Sequence, residues 1–121
     1  MIPHVLIVED STLVIGALRL LLEETGHRVS AATTVREAVD AARAGHPDVV
    51  LLDITLQRES GFDVLADLAR TNDLPPVTVA MTGHDEPEVR QRCMAAGCRD
   101  VLVKPIAAME LPGRIRDWLK S

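Results

Sequence analysis

The sequence is short of several residue types whose presence would direct a functional reading elsewhere. Its 121 residues include no tyrosine, one phenylalanine (Phe62) and one tryptophan (Trp118). Phe62 reads as a core residue, and Trp118 as packing for the last helix or the mark of a contact face. The two cysteines, Cys93 and Cys98, lie in one segment with no histidine at metal-site spacing. They read as buried or half-buried free thiols in a reducing compartment rather than as zinc ligands. Positive charge is in deficit: 13 Lys and Arg stand against 18 Asp and Glu, a net charge of −5. That balance argues against nucleic acid or an anionic membrane as the main partner. Arg90, Arg92, Arg114 and Arg116 then belong to solvated faces. No apolar run approaches the ~18 residues of a membrane span, and Met1 opens no signal-peptide pattern. Repeats, low-complexity tracts and linkers are also missing. The expectation is a cytoplasmic chain forming a single domain over 1–121 with no output domain, because a strand begins almost at once and the last helix-like stretch ends one residue from the terminus.

What the chain does contain is a strict alternation. His4 to Val8 is a compact β-branched run, and Ser11 or Asp10 caps the helix that follows. Leu13 to Thr25 carries an apolar stripe through Leu13, Ala17, Leu18, Leu21 and Leu22, closed by Gly26. Val29 to Ala32 is a second strand. Thr33 or Thr34 caps a helix through Val35, Ala38, Val39 and Ala42, ended by Gly45-His46-Pro47. Asp48 to Asp53 is a third strand, followed by a loop from Thr55 to Ser60, a helix from Gly61 to about Arg70, and a turn over Asn72 to Pro76. Val77 to Met81 is a fourth strand, Glu86 to Ala96 a helix stopped by Gly97, Asp100 to Val103 a fifth strand, and Ala107 to Lys120 a last helix. Pro112-Gly113 falls in that helix's second turn, where proline removes a donor and clashes with the preceding turn. A kink is expected there, or a late start with Pro112 in the first turn.

Five β-α units of this kind predict an α/β fold, a doubly wound parallel five-stranded sheet with helices on both faces. The flavodoxin-like order 2-1-3-4-5 places a crevice between strands 1 and 3, outside their carboxyl ends. Val49 to Leu52 is apolar throughout, as in a strand buried on both faces, yet it ends in the carboxylate Asp53. A charge closing such a run is costly unless it is used. Glu9 and Asp10 follow strand 1, Thr82 follows strand 4 and Lys104 follows strand 5, so all share one sheet edge. Two carboxylates ~4 Å apart repel by about 4 kcal/mol at an effective dielectric of ~20. A bound proton or cation relieves that repulsion, and an oxygen-only donor set suits Mg²⁺. With Lys104 and Thr82 added, the constellation has what phosphoryl transfer needs, and Asp53 is the best placed nucleophile.

The chain resembles a response-regulator receiver domain over essentially its full length. The resemblance rests on Val5-Leu6-Ile7-Val8-Glu9-Asp10-Ser11, Asp53 with Leu56 and Gly61 after it, Met81-Thr82-Gly83, Ala96-Gly97-Cys98 and Val103-Lys104-Pro105. It implies that Asp53 is the phosphoacceptor and that Glu9 and Asp10 bind Mg²⁺ with Asp53, Asp10 directly and Glu9 mainly through water. The backbone carbonyl of Thr55 would be a further ligand. Thr82 would be the switch hydroxyl, Lys104 the partner of the phosphoryl group, and Lys104-Pro105 a cis peptide. The implied donor is a histidine kinase or histidine phosphotransfer protein, the readout an unidentified downstream protein, and the chain a monomer or weak homodimer. Three positions depart from the family pattern. Val101 stands where receivers usually carry Tyr or Phe, and cannot report a threonine shift in the same way. Gln57 replaces the usual loop proline, and Pro112-Gly113 lies on a surface receivers commonly use for partners.

Two other readings stand beside this one. A pseudo-receiver would keep the fold as an interaction module without switching, as Val101 and Pro112-Gly113 allow. A phosphatase of the haloacid-dehalogenase type also uses a strand-end Asp with Mg²⁺, but that family wants a second Asp two residues on, where this chain has Thr55. The leading reading is therefore a signalling acceptor and not an enzyme. His84 reads as an exposed loop residue, two positions past Thr82, within reach of water attacking a phosphoryl group, and Thr55 faces the same place from the other side.

Overall fold

A computed structural model describes residues 2–120. Five strands, β1 (His4–Val8), β2 (Arg28–Ala32), β3 (Val49–Asp53), β4 (Val77–Thr82) and β5 (Asp100–Val103), form one sheet in the order β2-β1-β3-β4-β5. Every pairing is parallel, with Val5 opposite Val29 and Val49, and Asp53 opposite Met81. The expected topology is therefore the one found. Side chains alternate across the sheet: Val5, Ile7, Val49 and Leu51 face one apolar cluster, and Leu6, Val8, Val50 and Leu52 the other. All eight are at most 1% exposed, and burying each contributes about 1.5–3 kcal/mol.

The helices cover both faces. α1 (Thr12–Glu24) and α5 (Leu111–Lys120) pack on the first cluster through Leu18, Leu22, Leu111, Ile115 and Trp118. α2 (Val35–Gly45) and α3 (Gly61–Arg70) pack on the second through Ala38, Val39, Ala42, Val64, Leu65 and Leu68. Ser11 caps α1, its Oγ accepting from the Val14 N–H at 3.3 Å. Thr34 caps α2, accepting from the Glu37 N–H at 3.1 Å, while Glu37 Oε1 reaches back past the cap and accepts from the Thr33 N–H at 2.9 Å.

Some boundaries differ from expectation for local reasons. Asp48 lies outside β3: its Oδ2 accepts from the His4 N–H at 2.8 Å, and its own N–H donates to the His4 carbonyl at 2.8 Å. Thr82 is the last residue of β4 rather than the first of a loop. The last helix starts late, as the second alternative for Pro112 required. A 3₁₀ turn spans Ala108–Glu110, and Pro112 sits in the first turn of α5, where a missing N–H costs nothing. Phe62 is only half-buried, with the Arg92 guanidinium 3.9 Å from its ring centroid, whereas Trp118 is 8% exposed on the inner face of α5.

α4 (Pro87–Ala95) is held less firmly than the others. Cys93 is its only buried residue, Val89 is half-buried, and Glu86 at its N-cap makes no side-chain capping bond. On α1, by contrast, an outward ridge stays in water, with Leu13 85% and Leu20 61% exposed. Met109, in the 3₁₀ turn, is 83% exposed.

Candidate functional site

The carboxyl ends of β1, β3, β4 and β5 bring the expected residues to one crevice. Glu9 follows β1 at 1% exposure, its backbone fixed by a bond from its N–H to the Ala32 carbonyl at 3.0 Å. Asp53 closes β3 at 3% exposure, and Thr82 closes β4 fully buried. Lys104 follows β5, and its N–H donates to the Thr82 carbonyl at 2.7 Å. The Lys104-Pro105 bond is cis.

Lys104 is the link between the carboxylates. Its Nζ lies 2.9 Å from Glu9 Oε2 and 2.9 Å from Asp53 Oδ2. Asp10 completes a group in which Glu9, Asp10 and Asp53 each offer an oxygen within 4.8 Å of the others. One ammonium cannot neutralise three carboxylates, so two negative charges remain in excess in a largely buried crevice. Such a set matches the charge of a divalent cation, and the all-oxygen donors match the preference of Mg²⁺. The titration behaviour reflects the crowding. Burial pushes the Glu9 carboxyl up, more than its bonds from Lys104 and the Ser11 N–H pull it down, and the Asp53 charge pushes the same way. Burial pulls the Lys104 ammonium down, but its bonds to Asp53 and Glu9 outweigh that and raise it.

The second Asp53 oxygen, Oδ1, accepts from the Thr55 N–H at 2.8 Å. Thr55 itself is exposed, and its amide rather than its side chain meets Asp53. The Thr82 Oγ1 accepts from the His84 N–H at 3.0 Å, while the His84 ring is exposed and its Nδ1 lies 3.5 Å from Glu86 Oε1. A cavity of about 340 Å³ adjoins the crevice between α3 and α4, walled by Thr55, Ser60, Phe62, Thr82, His84 and Arg92 among others.

Two features went unread in the sequence, and a third was read only as a motif position. The Ser11 N–H donates to Glu9 Oε1 at 3.2 Å, so the start of α1 steadies the carboxylate as well as being capped. Glu59, in the loop after β3, accepts from the Val35 N–H at 3.0 Å, tying that loop to the start of α2. Gly61 has no room for a side chain: a Cβ there would lie 2.5 Å from the Asp53 carbonyl oxygen and 2.7 Å from the Ile54 Cα. Only the Gly61 signal was visible, as a glycine eight residues after Asp53. The Glu59 contact spans 24 residues and leaves no trace in local spacing.

Val101 is 6% exposed and packs in the cluster with Ala80, Cys93 and Cys98. Asp100 before it receives Arg90 and Arg114, each at 3.8 Å, so these arginines of α4 and α5 are engaged in ion pairs on one carboxylate.

Comparison with known proteins agrees with this geometry. The family model of the response regulator receiver domain matches residues 5–116. The response regulator MprA of Mycolicibacterium vanbaalenii is 36% identical over 117 residues, covering 97% of this chain and 50% of that protein. The aerobic respiration control sensor protein ArcB of Escherichia coli is 36% identical over 118 residues, 95% of this chain and 15% of its own length. The receiver domain of sensor histidine kinase PA1611 from Pseudomonas aeruginosa, solved with a magnesium ion coordinated in its active-site cleft, superimposes with a TM-score of 0.86. It is 26% identical, with all of both chains covered. The chain spans about half the length of the curated response regulators it matches.

Proposed function

The chain belongs to the response regulator receiver domain family of two-component signalling, and on that premise we propose that Asp53 accepts a phosphoryl group from a phosphohistidine on a histidine kinase or histidine phosphotransfer protein. The observation that carries the reading is Lys104 Nζ, 2.9 Å from oxygens of both Glu9 and Asp53, with Asp10 closing the acidic group.

In the proposed reaction an Asp53 carboxylate oxygen attacks phosphorus as the phosphorus–nitrogen bond to the donor imidazole breaks. The imidazole nitrogen leaves with the electron pair and takes up a proton. The Thr55 N–H on Oδ1 orients the carboxylate. Lys104 already sits on Oδ2, so it stands beside the arriving phosphoryl oxygens and balances their charge. The Thr82 hydroxyl, at the neighbouring strand end, donates to one of them. Glu9, Asp10 and Asp53, with the Thr55 carbonyl, would hold Mg²⁺, which when bound supplies charge neutralisation for the phosphoryl oxygens. The domain acts as a signalling acceptor rather than a turnover catalyst, and it signals through contact with a downstream protein in the cytoplasm. Among the described residues no helix is long and apolar enough to cross a membrane.

The test is treatment with acetyl phosphate and Mg²⁺. A mass gain of one phosphoryl group on Asp53, absent in Asp53→Asn, is expected; an unmodified wild-type chain, or a gain that persists in the variant, overturns the reading. A non-switching module is the second reading, favoured by the buried Val101, which puts no aromatic ring behind Thr82. Equal partner affinity for the free and phosphorylated chain would establish it.

A further inference from the structure

The α4–β5 junction carries a feature the acceptor chemistry does not use. Helix α4 ends in a two-bond turn: the Cys98 N–H donates to the Cys93 carbonyl at 3.1 Å, and the Gly97 N–H to the Met94 carbonyl at 3.2 Å. Gly97, at φ +106°, supplies the left-handed residue this ending requires. In such a turn the residues at the two ends of the longer bond bring their side chains together, usually as an apolar contact. Here both are cysteines, and both side chains lie in the same buried cluster. Both are reduced and buried, at 0% and 5% exposure. A disulfide needs its Cα atoms within roughly 4.4–6.8 Å with the Cβ atoms facing, and a direct backbone bond between the two residues keeps them near that range.

Burial alone would make these thiols inert, and it pushes Cys98 up to about 12. The segment covering them is the weakly held one. α4 buries no residue other than Cys93 and lacks a side-chain cap, so it is the helix with the least to lose on opening locally. Once it opens, Arg90 and Arg92, which already favour the Cys93 thiolate electrostatically, stay within three residues of it in sequence.

We propose that Cys93 and Cys98 are a site of reversible intramolecular disulfide formation by peroxide, gated by local opening of α4. The Cys93 thiolate attacks one peroxide oxygen, the oxygen–oxygen bond breaks and water leaves, giving a sulfenic acid. The Cys98 sulfur then attacks Cys93 sulfur, and hydroxide departs as a second water. Two thiols lose two electrons and two protons in all, and one peroxide becomes two waters. The product fastens the end of α4 to the start of β5, beside the cavity that Val89 and Arg92 share with Thr82.

The experiment is exposure of the native chain to hydrogen peroxide at neutral pH, read by intact mass and peptide mapping. The expected result is loss of two hydrogens per chain, a Cys93–Cys98 cross-linked peptide, and full reversal by dithiothreitol. In the oxidised chain, amide exchange within α4 should slow on the order of tenfold or more. Repeating the oxidation in graded urea needs no variant: it should proceed well below the unfolding midpoint. Oxygen addition without cross-linking, a disulfide between chains, or oxidation that appears only with global unfolding overturns the proposal. Cys98→Ala should abolish the mass loss, and a loss that survives it counts equally against the proposal. None of these readouts involves Asp53, so their failure is separate from failure of the acceptor reading.

Discussion

Gly61→Ala sets helix propensity against local packing. Gly61 is the first residue of α3, and propensity alone would reward alanine, by about 0.4–1 kcal/mol through the unfolded chain. The structure predicts the opposite sign. A Cβ at Gly61 would stand 2.5 Å from the Asp53 carbonyl oxygen and 2.7 Å from the Ile54 Cα, roughly 1 Å inside ordinary contact. Both atoms are backbone, at the end of the central strand, so no side chain can swing aside. Overpacking of this kind costs about 1–3 kcal/mol, and the rigid neighbours put this case toward the upper end. After the entropic gain is subtracted, the variant should lose about 2 kcal/mol, or roughly 5–10 °C in Tm. Urea unfolding followed by circular dichroism measures it, with Gly16→Ala as control. Gly16 lies on the exposed side of α1 with nothing within 4 Å of a built Cβ, so that variant should gain up to about 1 kcal/mol. The displaced strand end should also weaken beryllofluoride binding at Asp53. A Gly61→Ala chain as stable as wild type, at unchanged denaturant slope, refutes the steric reasoning.

Two further outcomes follow from the acidic crevice. Lys104→Met leaves Glu9 and Asp53 buried without their ammonium. It should destabilise the metal-free chain by about 3 kcal/mol, and thermal melts should show Mg²⁺ recovering more stability in the variant than in wild type; equal Mg²⁺ effects would count against the shared charge balance. Glu9 has its folded carboxyl raised above the unfolded value, so the folded chain holds that proton more tightly. Its charged form therefore costs stability at neutral pH, and that cost should fade as pH drops through the raised folded value toward the ordinary glutamate range. Measured without metal, the stability difference between Glu9→Gln and wild type should shrink over that window, and a difference independent of pH removes Glu9 as the cause.

Much of this was legible in the chain because it is local. Four apolar residues ending in Asp53, and the alternation of short strands with longer helices, carry topology and site together, since parallel order delivers every strand's carboxyl end to one edge. Caps such as Ser11 and Thr34 are also local, and were readable. The unread parts depend on distance in sequence. Asp48 looked like a strand residue because its partner is His4, 44 positions away, and no periodicity reveals a side chain that pairs with another strand's backbone. The Glu59 bond to Val35 is hidden for the same reason. Phe62 was read as core from its type alone, whereas the Arg92 guanidinium covers part of it from the solvent side.

The outward ridge of α1 has a consequence for the chain as a colloid. Leu13 and Leu20 present wetted hydrocarbon that attracts the same ridge on another molecule, and Met109 adds a further wetted side chain nearby. What opposes that attraction is the net charge of −5, which makes neighbouring molecules repel across a few tens of ångströms in dilute buffer. The balance rests with the electrolyte. As salt rises the repulsion collapses while the apolar attraction persists, so the interaction between molecules turns from net repulsive to net attractive, and solubility falls along the salt axis rather than at the isoelectric point alone.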